Sequence, residues 1–279
     1  MSETAPHELL TAVLGPITPS SQRLVLNRRG STVWDVESDE GRYAVKLGYP
    51  IEATPEWPAQ EWTARAPGRE GVILRHLGVD ATHGEWERGT WNVQPWREGT
   101  SLYDLWEPCR AEKAGKEPDL GDALSCTQAL ASLHAHGWAH GDIQPAHLLV
   151  GTDRTHLIDL ALAHGGPIPD AYDFPSQGCL VHYEAPEISK SVLATGYAVP
   201  TMEADVYALG ASLLISATGW RAVAYPDDAP RAVQRQAVVD GPHRPVTVAG
   251  PLGKVIEAML SPVPGDRPTS AEVCRALSS

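Results

Sequence analysis

The sequence predicts an α+β chain, with a small antiparallel sheet at the front and a larger, mainly helical region behind it. Three observations carry that prediction. Between residues 21 and 45, apolar residues recur in short alternating runs broken by turn-forming residues. After about Pro95 they recur at helical spacing instead. The chain has 279 residues, 42% hydrophobic and 20% charged, which is enough for one large domain or a two-lobed unit with a cleft.

The elements follow in order. Leu9, Leu10, Val13 and Leu14 form a short apolar patch ended by Gly15-Pro16, a small leading helix or an ordered tail. Strands are expected at 24–26, 32–36 and 43–45, with hairpin turns at Arg28-Arg29-Gly30 and Asp39-Glu40-Gly41. Residues 47–66, rich in proline and tryptophan, show no clear element. A helix over 69–77 places Val72, Ile73 and Leu77 on one apolar face. Strand signals recur at 85–87 and 90–93, and 95–99 is a connector. The remainder reads as helical apart from Asp-rich loops. Its clearest helices are 120–136, with Leu124, Leu130 and Leu133 inward, then 203–218, and 270–277 after Pro268. The division falls near Pro95, giving lobes of residues 1–96 and 97–279.

Composition narrows the function. A net charge of −13 argues against nucleic acid or an anionic membrane as partner, despite a local cluster of Arg23, Arg28 and Arg29. Cys109, Cys126, Cys179 and Cys274 are scattered and form no CxxC pair, as expected of thiols in a reducing cytoplasm. No 18-residue apolar run exists, and residues 1–6 lack the charged start of a secretory signal. The expectation is a cytoplasmic protein without a membrane span.

The chemistry concentrates in residues 140–150, His-Gly-Asp-Ile-Gln-Pro-Ala-His-Leu-Leu-Val, and in Asp159, seventeen residues after Asp142. Two carboxylates at this spacing, each beside a short apolar run, suit phosphoryl transfer. One orients a hydroxyl nucleophile and the other holds a divalent metal. Lys46 ends the third strand and can meet nucleotide phosphates as a point charge, while Glu70, 24 residues later, is placed to hold it forward. Taken singly, Lys46 is also an ordinary strand-end lysine and Glu70 a solvated first-turn glutamate.

Together these motifs resemble the eukaryotic-type protein kinase superfamily over about residues 20–279. Tyr43-Ala44-Val45-Lys46 is similar to the Val-Ala-Ile-Lys strand, and His140-Gly141-Asp142 to the His-Arg-Asp loop. Asp159-Leu160-Ala161 stands in place of Asp-Phe-Gly. Ala185-Pro186-Glu187 matches the end of an activation segment. Asp205 resembles the anchor of the catalytic loop, and Arg267 the late arginine that pairs with Glu187.

The resemblance implies a bilobal protein-kinase-like fold and an ATP-dependent transfer to a Ser or Thr hydroxyl, with Mg²⁺ or Mn²⁺. It implies Asp142 as catalytic base, Lys46 and Gln144 as further catalytic groups, and Asp159 and His147 at the metal. Nucleotide contacts fall to Lys46, Glu70, Arg28, Gly30, Ser31, Val33, Ala44, Gln94, Trp96 and Leu149. Gln94 takes the gatekeeper position and Trp96 the hinge. The His-Gly-Asp loop is shared with aminoglycoside phosphotransferases and resembles bacterial kinase domains, including those of lanthipeptide synthetases, which phosphorylate a precursor peptide.

Departures from the family pattern keep three readings open. The glycine loop retains only Gly30, Gln144 replaces a lysine, His147 replaces an asparagine, and Leu160-Ala161 replaces Phe-Gly. The first reading is a kinase of a peptide or protein, working without phosphorylation of Tyr172 or Ser176 because Gly141 removes the arginine before Asp142. The second is a pseudokinase that binds a partner enzyme subunit. The third is a small-molecule kinase, whose acidic pocket would draw on Glu117, Asp119 and Asp122.

Overall fold

The structure is a computed structural model that describes residues 13–15, 17–28, 30–53, 59–111 and 115–278. The expectations placed on Leu9, Leu10, Pro16 and Arg29 lie outside the described residues. The chain divides into two compact units, residues 1–97 with 166–174, and residues 98–165 with 175–279.

The first unit is built on an antiparallel sheet of β1 (Pro19–Arg28), β2 (Ser31–Ser38), β3 (Gly41–Gly48), β4 (Thr82–Trp86) and β5 (Gly89–Pro95) in the order β1-β2-β3-β5-β4. Strand alternation gives it two faces. One carries Trp34, Val36, Val45, Leu47 and Val93, all buried, with Val13 and Leu14 packed over them. The other brings Val33, Lys46 and Asn92 into cross-strand register, with Ala44 opposite Gln94.

That second face meets α1 (Trp62–His76), which begins seven residues earlier than the sequence predicts. Pro67 lies inside the helix and has no N–H to give, and a break there is the ordinary expectation. The break is mended from outside. Thr90 Oγ1 accepts from the Gly68 N–H at 2.9 Å and donates to the Ala64 carbonyl at 2.6 Å, taking the place of the backbone bond between them. Val72 and Ile73 are buried as expected.

The second unit is mainly helical: α2 (Leu102–Leu105), α3 (Leu120–Ala135), α4 (Pro186–Thr195), α5 (Met202–Thr218), α6 (Arg231–Asp240), α7 (Gly250–Met259) and α8 (Ser270–Leu277). Its core gathers Leu102, Trp106, Leu130, Ile143, Leu148, Tyr207, Leu209, Leu213 and Ile256 around α5, which is buried on nearly every side. The reading of this region as helices and loops needs one correction. β6 (Thr100–Ser101), β7 (Leu148–Val150) and β8 (Thr155–Leu157) form a small antiparallel sheet that frames the His140–Val150 stretch. Among the described residues no helix is long and apolar enough to cross a membrane.

Candidate active site

In the first unit, β3 delivers Lys46 and the third turn of α1 delivers Glu70. The ammonium lies 2.8 Å from each carboxylate oxygen, and Glu70 is 1% exposed. The pair is therefore structural as well as electrostatic, and removing one partner leaves a buried charge uncompensated. Glu70 is not the solvated first-turn residue that its sequence position also allowed. Asn92 Nδ2 donates to Glu70 Oε2 at 3.2 Å and to the Pro67 carbonyl at 2.8 Å, and Gln94 Nε2 donates to Asn92 Oδ1 at 3.1 Å.

The first unit also carries the other residues expected at a nucleotide, apart from Leu149. Val33 and Ala44 are partly buried on the same face. Trp96 lies under the Arg42 guanidinium, 4.7 Å from its ring centre. Arg42 also grips Asp35, with Nε to Oδ1 and Nη2 to Oδ2 both at 2.7 Å. Arg28 closes β1 at an exposed position, opposite Ser31. Gly30 is buried with φ +76°, and a Cβ there would lie 2.6 Å from Thr63 Oγ1 and from the Tyr49 carbonyl. Its need for glycine thus comes from packing against the start of α1.

In the second unit, the loop after α3 carries Asp142. Asp205 of α5 accepts from the backbone N–H groups of His140 (2.5 Å) and Gly141 (2.9 Å), fixing the loop from below. His134 donates toward the same carboxylate and meets Ser270, so two further elements converge on Asp205. Gly141 has φ +77°, and a Cβ would lie 2.8 Å from the Leu162 carbonyl. His140 is fully buried; burial lowers its pKa to about 4 and keeps it neutral. The neutral ring donates through Nε2 to the Ile158 carbonyl and accepts at Nδ1 from the Asp142 N–H.

Burial raises the Asp142 carboxyl to about 6; His147 opposes this and Asp159 reinforces it. Gln144 Nε2 lies 3.2 Å from both Asp142 oxygens, so its amide is committed to Asp142. His147 Nδ1 donates to the Asp142 backbone carbonyl at 2.9 Å, which turns Nε2 toward Asp159 Oδ2 at 3.4 Å. Nε2 and Oδ2 thus face one another, where a cation between them would be ligated by both. Asp142, His147 and Asp159 each offer one ligand atom, all within 4.8 Å of one another. This mixed oxygen and nitrogen set fits a divalent cation that accepts imidazole, Mn²⁺ more readily than Mg²⁺. Asp159 is the one non-glycine with positive φ among the described residues (63°), a left-handed conformation that aims its side chain into this group. Leu149, in β7 two residues after His147, is half-buried and pairs with Ser101.

The resemblance also pairs Arg267 with Glu187, and the structure shows that pair as a two-pronged bond at 2.7 and 2.8 Å. Asn92 and His134 escaped the sequence reading. The signal for Asn92 was present in Thr90, Asn92 and Gln94, which alternate as polar residues on one face of an otherwise apolar strand. For His134 nothing local marks it, since its partner lies 71 residues away.

The sheet with its helix, the helical unit and the two carboxylate-bearing loops define a protein-kinase-like chain. A relative agrees: the serine/threonine-protein kinase PkaA of Streptomyces coelicolor is 31% identical over 156 residues, covering 53% of this chain. The match spans 27% of that protein's own length. No protein-family model matches the chain.

Proposed function

We propose that the chain is an ATP-dependent kinase that transfers the γ-phosphoryl group to a Ser or Thr hydroxyl of a peptide or protein. One observation carries the reading. Asp142 and His147, on a loop that Asp205 holds through two backbone N–H groups, bring ligand atoms within 4.8 Å of one another and of Asp159 on the loop after β8. Lys46, steadied by Glu70, binds nucleotide phosphates, with Arg28, Gly30, Ser31, Val33, Ala44, Gln94, Trp96 and Leu149 as the further nucleotide contacts. Asp159 and His147 hold the cation, which when bound neutralises phosphate charge. Asp142 orients the acceptor hydroxyl and takes its proton, and a carboxyl raised to about 6 is still mainly ionised at neutral pH while being a better base than an ordinary aspartate. Gln144 keeps that carboxylate in place. The His-Gly-Asp loop makes a natural-product precursor peptide the first acceptor to try.

The test is phosphate transfer from ATP to a Ser/Thr peptide, with Mg²⁺ and Mn²⁺ in parallel. Asp142→Ala is expected to lose turnover by about 10³-fold while still binding nucleotide, and Asp159→Ala to lose metal-dependent nucleotide binding itself. Unchanged product formation in Asp142→Ala would end the catalytic claim. The turn at Gly30, packed against Thr63 and Tyr49, favours a second reading, a scaffold for a partner enzyme. Nucleotide binding without transfer to any acceptor supports that one.

A further inference from the structure

We propose that Asn92 is a positioning residue for the Lys46–Glu70 ion pair. Its consequence for activity rests on the phosphoryl-transfer reading, while its geometry stands independently. Asn92 is fully buried and is the direct cross-strand neighbour of Lys46. A carboxamide at the centre of a sheet carries a desolvation cost that an aliphatic residue would not, and it persists only where its bonds are made.

Every bond here is made, and each settles the next. The two partners of Nδ2, the Pro67 carbonyl and the Glu70 carboxylate, are acceptors, so the amide nitrogen must face them. Oδ1 then faces Gln94 and receives its Nε2. The Glu70 carboxylate is thereby held from two sides, by Lys46 at 2.8 Å and by Asn92 at 3.2 Å.

Pro67 explains why a second tether is needed. The helix is interrupted one turn before Glu70, and Thr90 mends only the bond between Gly68 and Ala64. The turn that carries Glu70 is aimed separately, by Asn92 gripping the Pro67 carbonyl and the carboxylate at once. Thr90 restores the helix, and Asn92 directs what the helix presents.

The test is Asn92→Leu, of similar size and without the donor. Lys46 is one of five lysines, so its acylation by succinimidyl acetate can be read by mass spectrometry against the other four. The expected result is a melting temperature within a few degrees of wild type, with several-fold faster labelling of Lys46 and none of the other sites changed. KM for ATP should rise by about tenfold with kcat altered much less. Glu70→Gln serves as the reference for a released lysine. Should Asn92→Leu not fold, Asn92→Ala removes the donor with no added volume or charge and carries the same expectation. A folded variant with unchanged Lys46 labelling overturns the proposal and leaves Asn92 as a helix tether alone. Absence of ATP binding by the wild type would sink the phosphoryl-transfer reading, and labelling would still decide the role of Asn92.

Discussion

Gly141 stands where the resembling family carries arginine, and the backbone shows why a side chain is excluded. With φ at +77° and the Leu162 carbonyl 2.8 Å from where a Cβ would lie, Gly141→Arg restores the family's tripeptide at the cost of strain. The expected penalty is about 1–3 kcal/mol, seen as a melting temperature lowered by several degrees and a loss, not a gain, of activity. Asp35 allows a prediction in pH. The Arg42 guanidinium, against the opposing effect of burial and with help from Arg23, holds its carboxyl at about 2, below the ordinary 3.8. A depressed carboxylate stabilises the fold above the unfolded value, and that contribution disappears as pH falls through the folded one. Arg23 is largely exposed, so solvent screening reduces the worth of the cluster to about 1 kcal/mol. Wild type should therefore exceed Asp35→Asn by that amount at pH 7 in urea titrations, with the gap closing between pH 4 and 2. A gap that persists at pH 2 would mean that shape, not charge, is responsible.

At the scale of elements, α1 shows where sequence reading reaches its limit. Residues 62–68 look like a loop because Pro67 and Gly68 are helix breakers, and the hydroxyl that overrides them belongs to a strand 22 residues away. Only the part after the break, with Val72 and Ile73 at helical spacing, is legible locally. The strands β7 and β8 fail for a different reason: three residues are too few to show a period. Lys46 and Glu70 were legible as a pair because their motif spacing, not their surroundings, identifies them. The Thr90 splint gives the prediction at this scale. Thr90→Val keeps the volume but removes the hydroxyl that serves both the Gly68 N–H and the Ala64 carbonyl, so the helix must close that bond itself beside Pro67, costing about 0.5–1.5 kcal/mol. Chemical denaturation measures that loss, and amide exchange should locate it in the first half of α1. Protection unchanged across residues 64–70 would show that the hydroxyl is dispensable.

At the scale of the whole molecule, the chain's division is not a single cut. The sequence suggests a boundary near Pro95, yet residues 166–174 group with the first unit although 98–165 do not. Composition gives no warning of this, because the contacts that place the strap are made by side chains of α1. Arg69 pairs with Asp173 and lies over the Phe174 ring, Arg65 bonds the Asp173 carbonyl at 3.0 Å, and the Trp62 ring lies tilted against Phe174 at 5.6 Å between centres. Tyr172 sits where Gly68 leaves room for its ring, with its edge toward His83. The Asp173 carboxylate already occupies the Arg69 guanidinium, the kind of contact that a phosphate makes where an activation segment is phosphorylated. This gives a structural reason to expect activity without phosphorylation, beyond the missing arginine at position 141. Tyr172→Phe and Ser176→Ala should each retain activity within about twofold of wild type, since neither removes a charge-bearing contact. Arg69→Ala should release the strap, measured as faster limited proteolysis within residues 166–176 while the cleavage rate elsewhere stays the same. Equal cleavage rates in Arg69→Ala and wild type would show that Phe174 and Tyr172 hold the strap by packing alone, and loss of activity in Tyr172→Phe would return phosphorylation to the account.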